Sequence, residues 1–306
     1  MRIAFAGTTE FAVACLEALK KDTININLVI TQPDRAAGRN RRLTPPPVKV
    51  CALGQGLHVW QPSRINCPES RDYLAEFAPD LLVVVAYGRI LKKDILDVPK
   101  LGAVNVHTSL LPDLRGAAPI EWALLRGLQQ TGITTMYMDE GLDTGDIILQ
   151  AETPIFPEDN RETLEGRLAD LARTLLPETV AMIGSGNAPR LPQPSGDWVY
   201  APPLANAQEQ ISWDKPAEQI FNQVRAFAPA PGAYTTFRGK RLKILKARVA
   251  PGAASPGRVS FLGRDLALGT GAGLLVLELL QPEGKKQMDA WSFANGYRVT
   301  EGEQLQ

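Results

Sequence analysis

"RIAFAGTTEFAVACLEALKKDTININLVIT", Arg2 to Thr31, decides the fold. An apolar run, "RIAFAG", ends at a glycine. Beyond it Phe11, Ala14, Cys15 and Leu19 recur at helical spacing, and "INLVIT" then returns to a strand-like run. Strand, helix, strand is a β-α-β unit, and the crossover through a helix makes the two strands parallel. Working outward, "YLAEFA" predicts a helix. "DLLVVVAYG" predicts a strand apolar enough to be covered on both faces, and "GAVNVHTS" a further strand. The first half is expected to be α/β, a doubly wound, mostly parallel sheet. A dinucleotide would occupy the first strand-to-helix turn of such a sheet. "GTTEFA" supplies one glycine where G-x-G-x-x-G requires three for close approach to a pyrophosphate, which sets nicotinamide and flavin binding aside.

The chain has 306 residues, more than the roughly 250–300 at which single cores stop growing, so two domains are expected. After the helical "RETLEGRLADLARTLLPETVAMI" the composition changes. "GSGNAPRLPQPSGDWVYAPPLAN" (184–206) holds three glycines and five prolines and reads as a linker. Beyond it, the helix "PAEQIFNQVRAF" precedes short strands, "GAYTTFRG", "KRLKILKARV", "GRVSFLG", "LALGT" and "LLVLELLQP", which suggest a small OB-like β-barrel. The expected organisation is a first domain over 1–189, a linker over 190–206 and a barrel domain over 207–306.

Basic and acidic residues balance at 33 each but are unevenly placed: 13 basic and 9 acidic from Asn206 onward, against 20 and 24 before it. "TTFRGKRLKILKARVAPGAASPGR" (235–258) carries seven basic side chains and no acidic one. It is either a solvated strand face or a phosphate-contacting surface. The three cysteines, Cys15, Cys51 and Cys67, show neither disulfide-framework nor zinc spacing. With no leader-like N-terminus and no long apolar run, a cytoplasmic protein without a membrane span is expected.

Only two histidines occur. His58 has no polar company and reads as an ordinary hydrogen-bonded residue. His107 lies two residues after Asn105 on a predicted strand, so the two side chains project from one face. They sit at the strand's carboxyl end, just before "SLLP", where open α/β sheets bind ligands. Alone, His107 would read as a core residue. "DEGLDTGDIILQ" (139–150) adds four carboxylates and two glycines before an apolar strand, which turn chemistry by itself could explain.

"NVHTSLLPDLRGAAPI" and "GLDTGDIIL" together resemble the signature of the folate-dependent formyltransferases. "FAGTTEFA", "TQPDRAAGRNRRLTPPPVK", "VVVAYGRIL", "RAFAPAPGAY" and "LLQPEGKKQMDAWSFANGYR" extend the resemblance over essentially the whole chain, and to the branch of the family that acts on charged tRNA. It implies Asn105, His107 and Asp143 as the catalytic group. It implies a donor site of Ser109, Leu110, Leu111 and Pro112 with Tyr87, Gly88 and Ile90, holding 10-formyltetrahydrofolate without a metal. The implied acceptor is the α-amino group of initiator methionyl-tRNA, bound by a monomer.

Formyl transfer to an amine develops an oxyanion and moves a proton. Amide and imidazolium donors serve the first, and a histidine backed by a carboxylate serves the second. Arg35, Arg39, Arg41 and Arg42, with Lys49, lie on a Gly/Pro-rich stretch expected to be a loop that reaches a nucleic-acid phosphate or base edge, and the resemblance implies that it is the insertion that inspects the acceptor stem. Arg39 is the residue singled out there. Lys240, Arg241, Lys243 and Lys246 would hold the tRNA backbone. Thr9, Pro203 and Ala230 depart from the family pattern, where proline, lysine and tryptophan are expected. The competing readings are a formyltransferase for a nucleotide-linked amino sugar, which needs no arginine loop, and a non-catalytic tRNA-binding protein, which needs no Asn105, His107 and Asp143.

Overall fold

The structure, a computed structural model, describes residues 1–20, 24–37 and 42–306. The apolar runs of the first half become strands β1 (Arg2–Gly7), β2 (Asn25–Ile30), β3 (Val59–Trp60), β4 (Leu81–Val85), β5 (Ala103–His107), β6 (Gln130–Tyr137) and β7 (Ile147–Pro154). They form one sheet in the order β7-β6-β5-β4-β1-β2-β3. β1 is parallel to β2 and β4, β2 to β3 and β4 to β5, whereas β5 and β6 are antiparallel. From β1 the chain builds outward first to β2 and then, on the other side, to β4. The order therefore reverses at β1 and β4 and leaves a crevice beyond their carboxyl ends. All five residues of β4 are buried, as an apolar strand covered on both faces requires. On one face Leu82 and Val84 pack with Ala4, Ala6, Leu28, Ile30 and Leu74. Each large side chain buried there contributes roughly 1.5–3 kcal/mol.

The first helix covers Glu10–Ala18. The helix read from "YLAEFA" begins earlier, at Pro68, and ends at Glu76. Proline suits a first helical turn because its missing N–H would be unbonded there. The polar residues after it carry no apolar period, so periodicity does not reveal the start. Within the arginine-rich stretch expected to be a loop, Arg35–Ala37 pairs antiparallel with Arg42–Thr44.

After the helix Ala217–Phe227, strands β8 (Ala233–Phe237), β9 (Lys240–Ala250), β10 (Val259–Leu262), β11 (Asp265–Gly269) and β12 (Leu274–Pro282) form an antiparallel sheet in the order β8-β9-β12-β11-β10. A short β13 (Met288–Asp289) pairs with β12. Among the described residues no ladder joins the edge strands β8 and β10. Instead the segment 302–306 bridges them: Val259 N–H donates to Glu303 O (2.8 Å), Leu305 N–H to Gly257 O (2.8 Å) and Gln306 N–H to Thr236 O (2.9 Å). With Leu305 buried beneath it, this tail supplies the edge pairing that an open sheet lacks.

The chain forms two compact units. One is Met1–Gly116, Thr131–Thr153 and Glu165–Tyr200; the other is Ala117–Gln130, Pro154–Leu164 and Ala201–Gln306. The last change of unit, between Tyr200 and Ala201, falls inside the segment expected as a linker, 190–206, and earlier changes precede it. Two insertions from the first half belong to the second unit, where the helix Pro119–Leu125 packs on Ala217–Phe227 and Arg161 donates to Glu121 at 2.9 Å. No helix among the described residues is long and apolar enough to cross a membrane.

Candidate active site

Strand alternation puts Asn105 and His107 on one face at the carboxyl end of β5. His107 is buried. Its Nε2 lies 2.9 Å from Leu114 O, and because a carbonyl only accepts, this nitrogen carries a hydrogen. Its Nδ1 faces Asp143 Oδ2 at 3.7 Å, with the two side chains 6% and 15% exposed. That gap exceeds a hydrogen bond, so the carboxylate faces the imidazole edge without bonding to it. The Asp143 carboxylate also accepts from Gly116 N–H at 2.9 Å. The side chain of Asn105 makes no hydrogen bond among the described residues.

Both readings of the acidic turn hold, for different residues. Asp139 does turn chemistry, accepting from Gly141 N–H (3.0 Å) and the Thr144 hydroxyl (2.7 Å), while Asp143 faces His107. Asp143 has left-handed backbone, φ 54°, which costs a non-glycine residue on the order of 1–3 kcal/mol and persists only where the surroundings impose it. The loop closes tightly at Gly145, where a Cβ would fall 1.8 Å from Tyr137 O.

The loop after His107 is fixed by Thr134 and Gln150, which sequence reasoning missed. The Thr134 hydroxyl, on the strand position facing His107, donates to Ser109 O (2.7 Å) and accepts from Leu111 N–H (3.1 Å). Gln150 Nε2 donates to both Leu111 O and Thr134 Oγ1 at 2.9 Å. Leu111 packs on Met136 and Ile147, and Leu110 lies over Gly132. The buried Leu111 side chain therefore anchors the loop to the core. Ser109 donates to Asp113 O at 2.6 Å, and Pro112 is half-buried. Thr134→Val keeps the volume but strands a buried N–H and C=O, so it is expected to lower the unfolding free energy by about 2–3 kcal/mol. Urea titration measures this, and a change under about 0.5 kcal/mol would show that the loop is held otherwise.

A cavity of about 250 Å³ opens at the reversal point of the sheet, lined by Thr8, Gln32, Pro33, Arg35, Thr44 and Tyr87 among others. Tyr87 O accepts from Thr8 Oγ1 (2.9 Å) and Gln32 Nε2 (3.1 Å), while Gln32 Oε1 accepts from Arg89 (3.2 Å) and Arg35 (3.4 Å). The Tyr87 ring is part of the core, and burial pushes its phenol up to about 12, so it stays protonated. On this loop Ala86, Gly88, Arg89 and Ile90 are exposed, Ile90 at 75%. A larger groove of about 610 Å³ opens beside Gly102 and Arg190, at the opposite end of β5 from His107.

Of the expected acceptor contacts, Arg39 and Arg41 lie outside the described residues, and Arg42 is exposed on the strand Arg42–Thr44. Lys49 is held by Asp34 at 2.8 Å. On β9 the basic run is less free than its count suggests. Arg241 stacks over Tyr234 at 3.8 Å, Lys246 pairs with Glu278 at 3.1 Å, and Arg248 pairs with Asp265. Lys240 and Lys243 have no carboxylate partner among the described residues. His58 meets the Tyr73 hydroxyl at 3.0 Å, as an ordinary polar contact.

Residues 1–180 match the family model described as formyl transferase and residues 203–298 that of the formyl transferase C-terminal domain; the chain belongs to this family. The methionyl-tRNA formyltransferase of Pelotomaculum thermopropionicum is 48% identical over 306 residues, covering 99% of this chain and 97% of its own. Among solved structures, the sugar 3N-formyl transferase WlaRD, in the presence of dTDP and 5-N-formyl-THF, superposes with a TM-score of 0.68 at 20% identity, over 94% of this chain and 99% of that one. HypX from Aquifex aeolicus superposes with a TM-score of 0.65 at 16% identity over 99% of this chain, which spans about half (49%) of HypX. At those identities the two structures establish the fold.

Proposed function

We propose that the protein transfers the formyl group of 10-formyltetrahydrofolate to the α-amino group of initiator methionyl-tRNA, acting as a monomer in the cytoplasm. The observation that carries the chemistry is the pair of buried His107 and partly buried Asp143 beside Asn105, a polar side chain with no hydrogen bond among the described residues. The acceptor rests on the full-length similarity to methionyl-tRNA formyltransferases, 48% and 47% identical in the first two relatives. The donor's fit rests on the same free amide, with the exposed Gly88 and Ile90 and the loop Ser109–Pro112 nearby in sequence to the pair. When bound, the folate supplies an activated formyl carbon.

Asn105 gives its amide N–H to the formyl oxygen as negative charge develops there. His107 has its Nε2 committed to Leu114, so it works through the Nδ1 edge. A substrate amine set against that edge and Asp143 Oδ2 would lose its proton to the pair as its nitrogen bonds to the formyl carbon, and the pair would return a proton to N10 of the folate as the bond from that carbon to N10 breaks. Gly88, Ile90, Ser109, Leu110 and Pro112 hold the folate, with Tyr87 and Leu111 supporting from the core. Arg35, Arg39, Arg41 and Arg42 meet the acceptor stem. Lys240, Arg241 and Lys243 meet phosphates, and Lys246 joins them by releasing Glu278. A single copy supplies every group named.

Incubation with 10-formyltetrahydrofolate and either methionyl initiator tRNA or a dTDP-linked amino sugar tests this reading. N-formylmethionyl-tRNA is expected. Formylated sugar with no formylated tRNA would overturn the assignment of the acceptor.

A further inference from the structure

The stretch 190–199 has a linker's composition, yet it is fastened along both loops that hold the catalytic pair. Leu191 and Ile147 exchange both backbone hydrogen bonds, at 3.0 and 2.8 Å. Leu114, whose carbonyl holds His107, donates its own N–H to Val199 O at 2.8 Å. Between these ties sits Gln193. Its Nε2 donates to Asp143 O and to Gly145 O, each at 2.9 Å. Its Oε1 accepts from Arg115 Nε at 3.1 Å and Nη2 at 2.5 Å. Two donors and two lone pairs are all that a carboxamide has, so the side chain is saturated. Arg115 lies over the Trp198 ring at 5.5 Å and precedes Gly116, whose N–H holds the Asp143 carboxylate.

We infer that Gln193 is a positioning residue that sets the Asp143 carboxylate against His107, gripping the left-handed Asp143 turn from its backbone side and, through Arg115, the strand residue beside the N–H that grips its carboxylate. Asp143 is not a glycine, and its backbone conformation must be imposed from outside the loop. Two loop carbonyls converging on one amide impose it. The Pro-rich composition is consistent with this use: prolines exclude regular pairing and leave individual carbonyls and side chains to make bonds to other elements. The inference rests on the proposed role of Asp143 in proton transfer.

The test uses the full-length protein in single-turnover formylation of charged tRNA. Gln193→Met removes both halves of the clamp, and Gln193→Glu keeps the acceptor for Arg115 but sets a carboxylate against two carbonyls. Both are expected to slow the chemical step on the order of 10-fold to 100-fold, as a small misplacement of a catalytic group does, with half-saturating folate and tRNA concentrations changed less than about threefold. Asp143→Asn, which tolerates the same left-handed backbone, is the reference. Gln193→Met added to it is expected to cause no further slowing, because the clamp acts only through Asp143. A Gln193→Met or Gln193→Glu rate within about twofold of native, or equal slowing by Gln193→Met in the native and Asp143→Asn backgrounds, overturns the inference while leaving Asp143's role intact. A native rate for Asp143→Asn overturns that role itself.

Discussion

Replacing His107 by alanine is expected to lower kcat for formyl transfer by about three orders of magnitude, some 4 kcal/mol of transition-state stabilisation, while charged tRNA binds with nearly native affinity. The expectation follows from where the ring sits. It is buried, its Nε2 is spent on Leu114 O, and only its Nδ1 edge meets Asp143, so it offers the acceptor's phosphates nothing and the reacting amine a site for its proton. Alanine also leaves Leu114 O without its donor, which costs about 1–3 kcal/mol of stability. His107→Gln separates the two effects, because a glutamine N–H can reach the same carbonyl without titrating. Glutamine is expected to restore the unfolding midpoint and not the rate. If either variant keeps kcat within about tenfold of native, His107 is a structural residue and the proton path lies elsewhere.

The strands and the face shared by Asn105 and His107 were legible in the sequence, because apolar runs and period-two alternation report burial and facing directly. The Asp143 loop was half legible. Composition identifies a turn, and only the folded chain separates Asp139, which caps it, from Asp143, which meets His107. What periodicity could not reveal is which distant segments become neighbours. Thr134, Gln150 and Gln193 each bond to backbone groups, which every residue carries, so no side-chain pattern marks those partners. The linker composition of 190–199 is silent on its bonds for the same reason: irregular backbone says nothing of where its bonds go. Counting charge likewise overstated β9, because the carboxylates that occupy Lys246 and Arg248 come from other strands of the sheet, Glu278 from β12 and Asp265 from β11.

Asn105→Ala is the sharper test of the oxyanion assignment, because here activity and stability are expected to part. Asn105 sits mid-sheet between Val84 and Met136, yet its side chain has no hydrogen-bond partner among the described residues. Truncation therefore strands nothing, and the unfolding free energy is expected to stay within about 0.5 kcal/mol of native. In the reaction the same amide would be the group that meets the charge developing on the formyl oxygen, and losing one such donor costs about 10²–10³ in kcat. Asn105→Asp completes the argument, since it keeps the shape and replaces the donor by a carboxylate that repels the oxyanion. It is expected to be at least as slow as alanine. An aspartate variant faster than the alanine one would show that the site needs the volume of Asn105 and not its N–H. An alanine variant at native rate would remove the residue from the chemistry altogether.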